Sequence, residues 1–243
     1  VCSQKGGVGK STFTILLANW LHYALGRDVL VVDCDAPQWS IVAQRERELD
    51  VLERNDRYKL MMVRLFKRTG RKIWPVVRST PYEGLQAARA YFAAGDREAD
   101  FVRLDLPGTV AAPGIFRLLA QLDHLFIPLK ADKLVVESAL SFARAVDEQL
   151  VHNDAHRLKG LHLFWTMVDR RERTPLYESY GQAFAAFRLP VLQTQVPYRS
   201  RFSKEILDTS GAVGRSTLFP ADRAFAADAA LDALAAEILS LME

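Results

Sequence analysis

Short unbroken apolar runs alternate along this chain with longer stretches in which apolar residues recur every three or four positions. An unbroken run bounded by turn residues predicts a strand buried on both faces, and the wider spacing predicts an amphipathic helix. The predicted strands are Val1–Ser3, Asp28–Cys34, Trp74–Ser79, Phe101–Leu106, His124–Leu129, Gly160–Val168 and Val191–Val196. The predicted helices are Ser11–Leu25, Ser40–Arg68, Pro81–Ala94, Pro113–Leu122, Val135–Val151, Pro175–Phe187 and Ala221–Met242. The helix over 40–68 is expected to break near Asn55, and Leu60, Met61, Val63, Leu65 and Phe66 also read as a strand. This alternation predicts an α/β fold, a mostly parallel twisted sheet flanked by helices on both faces. No linker of disordered composition and no internal repeat divides the chain, so residues 1–243 read as one domain.

The junction between the first strand and the first helix carries the strongest chemical signal, Gln4-Lys5-Gly6-Gly7-Val8-Gly9-Lys10-Ser11-Thr12. Three glycines let the backbone curl so that several N–H groups face one anion. The helix that follows adds the positive end of its dipole. Lys10 reaches toward β- and γ-phosphates, and the Ser11 hydroxyl can complete a Mg²⁺ shell. Gly6, Gly7, Val8, Gly9, Lys10, Ser11 and Thr12 are therefore the candidate phosphate-binding residues. The common pattern G-x-x-x-x-G-K-[ST] requires glycine where Gln4 stands, and the variant K-G-G-x-G-K-[ST] fits instead. The competing reading is a glycine-rich turn with two solvated lysines, which the strand–loop–helix context outweighs. Lys5, placed before the glycines, is separated from its own γ-phosphate by the loop backbone. It could reach a phosphate held by a second copy of the chain, a role that spacing alone does not show.

Two further strands end in acids. Val29-Leu30-Val31-Val32-Asp33-Cys34-Asp35 places Asp33 and Asp35 at the carboxyl end of a buried strand, the edge where ligands bind in open parallel sheets. Phe101-Val102-Arg103-Leu104-Asp105 is followed by Gly108, which is the Walker B pattern. Asp105 is then a candidate holder of a Mg²⁺-bound water, and Gly108 a candidate N–H donor near the γ-phosphate. Solvated turn acids are the alternative for Asp33 and Asp35. Arg103 is unusual for a buried strand.

With these motifs the chain resembles the ParA/MinD family of P-loop ATPases. The resemblance implies ATP and Mg²⁺ as cofactors, slow basal hydrolysis of ATP, and a homodimer that sandwiches two nucleotides. It implies that Lys5 contacts nucleotide across that dimer. Asp33, Asp35, Pro37 and Gln38 match the family's second nucleotide motif, so Asp33 is expected to support the Mg²⁺ shell and Asp35 to position the attacking water. The implied catalytic set is Lys5, Lys10 and Asp35, and the implied metal set Ser11, Asp33 and Asp105. The late strand ends Phe164-Trp165-Thr166-Met167-Val168-Asp169, without the N-K-x-D of guanine readers. Adenine contacts are implied for Thr166 and Met167, and for Pro197 and Tyr198 in Val196-Pro197-Tyr198. Thr166 stands where many relatives have asparagine. Asp33–Ser40, Asp105–Val110, Val135–Ser138, Gly160–Trp165 and Ser216–Asp222 are most similar to the TraA-type ParA proteins of Bacteroides-group conjugative transposons. That likeness implies a role in partition, maintenance or transfer of a mobile element, with a ParB-like activator.

Composition narrows the partners. An apolar content of 49% with 25% charged residues is that of a soluble globular protein. There is no apolar run of about 18 residues and no readable signal peptide. Cys2 and Cys34 fit a reduced, cytoplasmic setting and do not make a zinc or iron–sulfur site; the resemblance implies a bacterial cytoplasm, with nucleoid association. A buried strand of ordinary length is expected before the loop, so native residues are expected to precede Val1. The net charge of +3 is uneven: residues 44–78 hold eleven Lys/Arg against five Asp/Glu, whereas the last predicted helix is acidic. A membrane-binding helix needs cations on its polar face. No MinD-type membrane anchor is therefore expected there, and Leu231, Leu234, Ile238 and Leu241 read as core. Arg199, Arg201 and Lys204 are candidate contacts to DNA phosphates, as are Arg170, Arg171 and Arg173. Without a helix-turn-helix or zinc-finger pattern, any such binding is expected to be sequence-independent. The alternative is that these arginines balance acidic helix ends. At the level of function, the alternatives are a cargo-positioning switch that acts through protein partners without DNA, and an ATP-binding scaffold.

Overall fold

In the computed structural model, the described residues are 1–3, 5–95, 98–108, 114–169, 171, 175–206 and 213–242. Among these residues five parallel strands form the centre: β1 (Val29–Asp33), β2 (Val76–Arg78), β3 (Phe101–Asp105), β4 (His124–Leu129) and β5 (Gly160–Trp165). They pair in the orders β2-β1-β3 and β4-β5. The predicted strand Val1–Ser3 bridges the two groups without forming a regular ladder. The Val1 nitrogen donates to the Leu104 carbonyl (2.8 Å), Leu106 N–H to Val1 (3.4 Å), and Cys2 N–H to Phe126 (3.1 Å). The predicted strand Val191–Val196 is reduced to parallel bridges at Leu163–Val191 and Val168–Pro197 beside β5.

Alternation along β1 explains why its sequence is apolar throughout. Leu30 and Val32 join the core under one face, with Phe142 and Val136. Val29 and Val31 join the opposite core with Ile15, Ala18 and Trp74. Each such fully buried side chain stabilises by roughly 1.5–3 kcal/mol. Helix α1 (Lys10–Asn19), continued by a π-helical turn at Trp20–Ala24, lies on the second face with α8 (Arg223–Asp228) and α9 (Leu231–Ser240). Helices α4 (Gly84–Ala93), α5 (Ile115–Leu119), α6 (Lys133–Val146) and α7 (Leu176–Ala186) cover the first face. The parallel sheet with helices on both faces is as expected from the pattern.

The 40–68 segment divides where the sequence allows. Helix α2 (Ser40–Arg54) ends at Asn55, whose side chain accepts the N–H groups of Arg57 and Tyr58 and starts α3 (Asp56–Thr69). Leu60–Phe66 is therefore helix and not strand. Tyr58 and Leu65 are buried one side of it, and Leu60, Val63 and Phe66 are exposed on the other. The C-terminal helix also divides, because Ala230 adopts a left-handed φ of 53° between α8 and α9. Leu231, Leu234 and Ile238 are core as expected, but Leu241 lies past the helix end and is 37% exposed. Among the described residues no helix is long and apolar enough to cross a membrane.

Candidate nucleotide site

The phosphate loop joins the 1–3 segment to α1. Gly9 caps α1 at φ 94°, a left-handed conformation, and a Cβ there would lie 2.9 Å from the Phe13 ring. Only glycine fits both demands. Phe13 N–H donates to Gly9 O (2.8 Å), the first bond of the helix. The N–H groups of the preceding first turn have no acceptor within the helix and remain available to an anion. Lys10 is buried, and its ammonium donates to the Lys5 carbonyl (3.3 Å). The Lys5 side chain is exposed. The two lysines thus differ, Lys10 buried against the loop backbone and Lys5 exposed. Gly6 and Gly7 are exposed and Val8 is buried. Gln4 lies outside the described residues.

The carboxylates meet this loop by distinct routes. Ser11 Oγ donates to Asp105 Oδ2 (2.6 Å), and Thr14 Oγ1 donates to Asp105 Oδ1 (3.1 Å). Asp105 is completely buried, and burial drives its carboxyl well above the usual carboxylate range, opposed first by the Ser11 hydrogen bond. Ser11 Oγ also lies 3.2 Å from Ser40 Oγ, at the start of α2. A carbon added at Gly108 would sit 3.3 Å from Lys10 Nζ, so the segment after β3 abuts the loop. Thr109 and Val110 lie outside the described residues.

Asp33 and Asp35 diverge. Asp33 is fully buried: Oδ2 accepts the N–H groups of Ile41 (2.9 Å) and Val42 (3.1 Å), and Oδ1 that of Asp35 (3.2 Å). It anchors the start of α2, where an acid also meets the positive end of the helix dipole. The solvated-turn alternative therefore fails for Asp33. Burial raises its carboxyl and these hydrogen bonds oppose the rise. Asp35 is half-buried, raised by burial and lowered by nearby Lys10. Its backbone carbonyl accepts from Gln38 and Trp39 N–H (both 2.8 Å), which turns the chain back into α2. Trp39 Nε1–H donates to Ser79 O (2.8 Å), and the Arg78 guanidinium stacks 4.8 Å from its ring centre. The loop bearing Asp35 is thereby tied to the end of β2.

The far side of the loop corrects one expectation. Thr166 is fully buried, and its hydroxyl lies within hydrogen-bond distance of the Val8 carbonyl (3.2 Å) and the Leu129 carbonyl (3.0 Å). One hydroxyl proton shared between two carbonyls leaves none to offer a base. Thr166 pins the phosphate loop to β5. Met167 (φ 56°) and Pro197–Tyr198 lie beside it, joined by Val168 N–H to Val196 O and Tyr198 N–H to Val168 O (both 3.0 Å). Pro197 is buried and Tyr198 is 59% exposed.

Two of the three cations proposed for DNA are committed elsewhere. Arg199 grips Asp228 (2.9 Å from Nη2 to Oδ1), and Arg201 pairs with Asp222, the residue that caps α8. This is the helix-balancing alternative. Lys204 is exposed. Of the second cluster, Arg171 is exposed, and Arg170 and Arg173 lie outside the described residues. Thr14, Ser40 and Arg215, whose guanidinium donates to Thr12 Oγ1 (3.1 Å), are site neighbours that the motifs did not announce. Their partners lie 29 to 203 residues away in sequence.

Among the described residues no group of three His, Cys, Asp or Glu side chains gathers to hold a metal. Ser11 and Asp105 offer instead the hydroxyl and carboxylate oxygens that suit Mg²⁺, which takes few protein ligands and completes its shell with water and phosphate. Cys2 and Cys34 are free and buried, and burial pushes their thiols up to about 11 and about 12.

A loop that opens a helix, at the carboxyl edge of a parallel sheet and beside buried aspartates, defines a P-loop nucleotide-binding protein of the α/β class. The family model CbiA, the CobQ/CobB/MinD/ParA nucleotide binding domain, matches residues 1–212, and the chain belongs to this family. No curated protein matches in sequence. Solved structures share the fold. A plasmid partition protein from Borrelia burgdorferi B31 bound to AMPPNP is 18% identical, with a TM-score of 0.59 over 99% of this chain and 96% of its own. MinD of Aquifex aeolicus is 17% identical, with a TM-score of 0.53 over 82% of this chain and 81% of its own. The pNOB8 ParA bound to nonspecific DNA is 18% identical, with a TM-score of 0.51 over 79% of this chain and 77% of its own.

Proposed function

We propose that this chain is a ParA-type ATPase switch: it forms an ATP-dependent homodimer, binds DNA without sequence preference, and hydrolyses ATP in the service of partition, maintenance or transfer of a mobile element of the TraA type. The observation that carries the reading is the joining of the phosphate loop to the Walker B strand through Ser11 and Asp105, with Lys10 buried inside the loop and Lys5 exposed outside it. Bound Mg²⁺–ATP would supply the labile phosphoanhydride and the cation that neutralises it. The first-turn N–H groups and Lys10 hold the phosphate chain. Ser11 and Asp105 would hold the metal, directly or through water, and Asp33 fixes the helix start beside them. Asp35 accepts a hydrogen bond from water and orients it for in-line attack. Lys5 reaches the phosphates of a second copy. Met167, Pro197 and Tyr198 border the base, and a ParB-like protein stimulates turnover in the bacterial cytoplasm. Light scattering with and without ATP tests this: the wild type should dimerise with ATP and Lys5→Ala should not, and an unchanged dimer in the variant contradicts the trans role.

A second reading has specific support. Arg199 and Arg201 already hold carboxylates, so the 199–204 segment offers DNA less free charge than its sequence promises. A cargo-positioning switch acting through protein partners fits that surface. Electrophoretic mobility of DNA with and without ATP, at two salt concentrations, separates the readings. ATP-dependent retention at low salt supports DNA binding, and its absence supports the protein-partner switch.

A further inference from the structure

Arg215 is a cation beside the phosphate loop that no motif accounts for. It reaches α1 from the far end of the chain, and Nη1 donates to Thr12 Oγ1 (3.1 Å) in the first helical turn. Nη2 donates to Glu205 Oε1 (2.8 Å). Glu205 is also held by the more exposed Arg47 (3.0 Å), so one carboxylate serves two guanidinium groups. The Arg215 Nε–H is buried and has no acceptor among the described residues. Its side chain is only 20% exposed, so this donor cannot simply rely on water. Among the described residues, two guanidinium groups share the Glu205 carboxylate and the Arg215 Nε–H has no acceptor, a single side chain away from a helix N-terminus built for an anion.

The same residue is tied to the segment after the base loop. Arg215 N–H donates to Lys204 O (2.9 Å), and Arg201 Nη2 donates to Val213 O (2.8 Å). Gln44 of α2 donates to the Arg215 carbonyl (3.4 Å). The Arg215 guanidinium therefore holds Glu205 while its backbone holds the adjoining Lys204, so the residue is joined to the end of the 199–205 segment at two points.

We propose that Arg215 is a nucleotide-sensing residue, which donates to the phosphate chain bound at the α1 N-terminus, loosens its hold on Glu205, and so passes nucleotide occupancy to the 199–205 segment. This rests on the P-loop reading above. Arginine suits the role because its fork can hold Thr12 and a phosphate oxygen together.

Calorimetric titration with Mg²⁺–ATP of the wild type, Arg215→Ala, Arg215→Lys, Glu205→Gln and Lys10→Ala tests it, with thermal melts as a check of folding. Arg215→Ala should weaken binding about tenfold, as expected for loss of one charge-assisted hydrogen bond, with Arg215→Lys restoring part of it. Glu205→Gln should tighten binding several-fold by releasing the guanidinium. In hydrogen exchange, ATP should change protection of residues 199–205 in the wild type but not in Arg215→Ala. Unchanged affinity in a folded Arg215→Ala, beside lost binding in Lys10→Ala, overturns the role of Arg215 and leaves the P-loop reading intact. Unchanged affinity in Lys10→Ala overturns the P-loop reading itself. Should Arg215→Ala fail to fold, Glu205→Gln decides: affinity equal to or weaker than wild type overturns the proposal. Weakened binding with an unaltered exchange response at 199–205 overturns the transmission.

Discussion

The Ser11 hydroxyl donates to the Asp105 carboxylate across 2.6 Å, although the two residues are 94 positions apart. Thr14 donates to the other oxygen of the same carboxylate. Asp105 is thus held with both oxygens against α1. Asp105→Asn is expected to melt within a few degrees of wild type, because the amide oxygen can still accept a hydroxyl. It should, however, lose most of the Mg²⁺ dependence of ATP affinity. Titration with ATP in Mg²⁺ and in EDTA checks this.

Gly9→Ala combines a left-handed backbone with a clash against Phe13. It should cost about 1–3 kcal/mol of stability, read as a lower urea midpoint, and should weaken ATP binding in parallel because the loop it distorts is the phosphate cradle.

Asp33→Ala leaves the N–H groups of Ile41 and Val42 without their acceptor in a buried site. A loss of about 1–3 kcal/mol is expected. Asp33→Asn keeps an acceptor oxygen and should recover much of that stability. Chemical denaturation of the pair separates the helix anchor from the charge, and Mg²⁺ affinity of Asp33→Asn then reports what the charge alone contributes to the metal.

How much of this was legible in the sequence depends on how local each determinant is. The loop, Asp33, Asp35 and Asp105 were legible because a phosphate site needs contiguous glycines and acids at strand ends. Strand β1 was legible because burial on both faces removes every polar residue from Val29–Val32. The break at Asn55 was visible because an asparagine cap acts within three residues. The division at Ala230 was not, since alanine gives no sign of a left-handed turn imposed by packing. Thr166 was misread because the Val8 and Leu129 carbonyls that claim its hydroxyl are 158 and 37 residues away. For Arg199 and Arg201 the choice between DNA phosphates and acidic helix ends stayed open for the same reason. Their carboxylates sit in α8 and its cap, 29 and 21 residues on.

His162 on β5 offers a test at acid pH. It is 8% exposed, stacks on Phe126, and lies 3.4 Å from His124 through Nε2. Burial first, then His124, push its imidazole down to about 4, with Glu237 of α9 opposing; His124 in turn faces Asp123 and Lys159. The unfolded chain, with an ordinary histidine near 6.5, takes up a proton that the folded protein refuses. The stability contributed by the neutral imidazole is thus complete above about pH 6.5 and is lost progressively as pH falls toward 4. Thermal melts near pH 7 and near pH 5 should show a larger drop for wild type than for His162→Phe, which keeps the stacking without the titration.

The most direct test of the Mg²⁺–ATP switch is single-turnover phosphate release by wild type and Asp35→Ala, with ATP binding measured on both. Asp35 is half-buried, within electrostatic reach of Lys10, and carried on a loop tied to β2 through Trp39. Its removal should leave ATP affinity within a few-fold and slow phosphate release by about a hundredfold or more, in line with loss of a positioned acid–base group. Equal rates of phosphate release from the two proteins would contradict a hydrolytic site organised around Asp35.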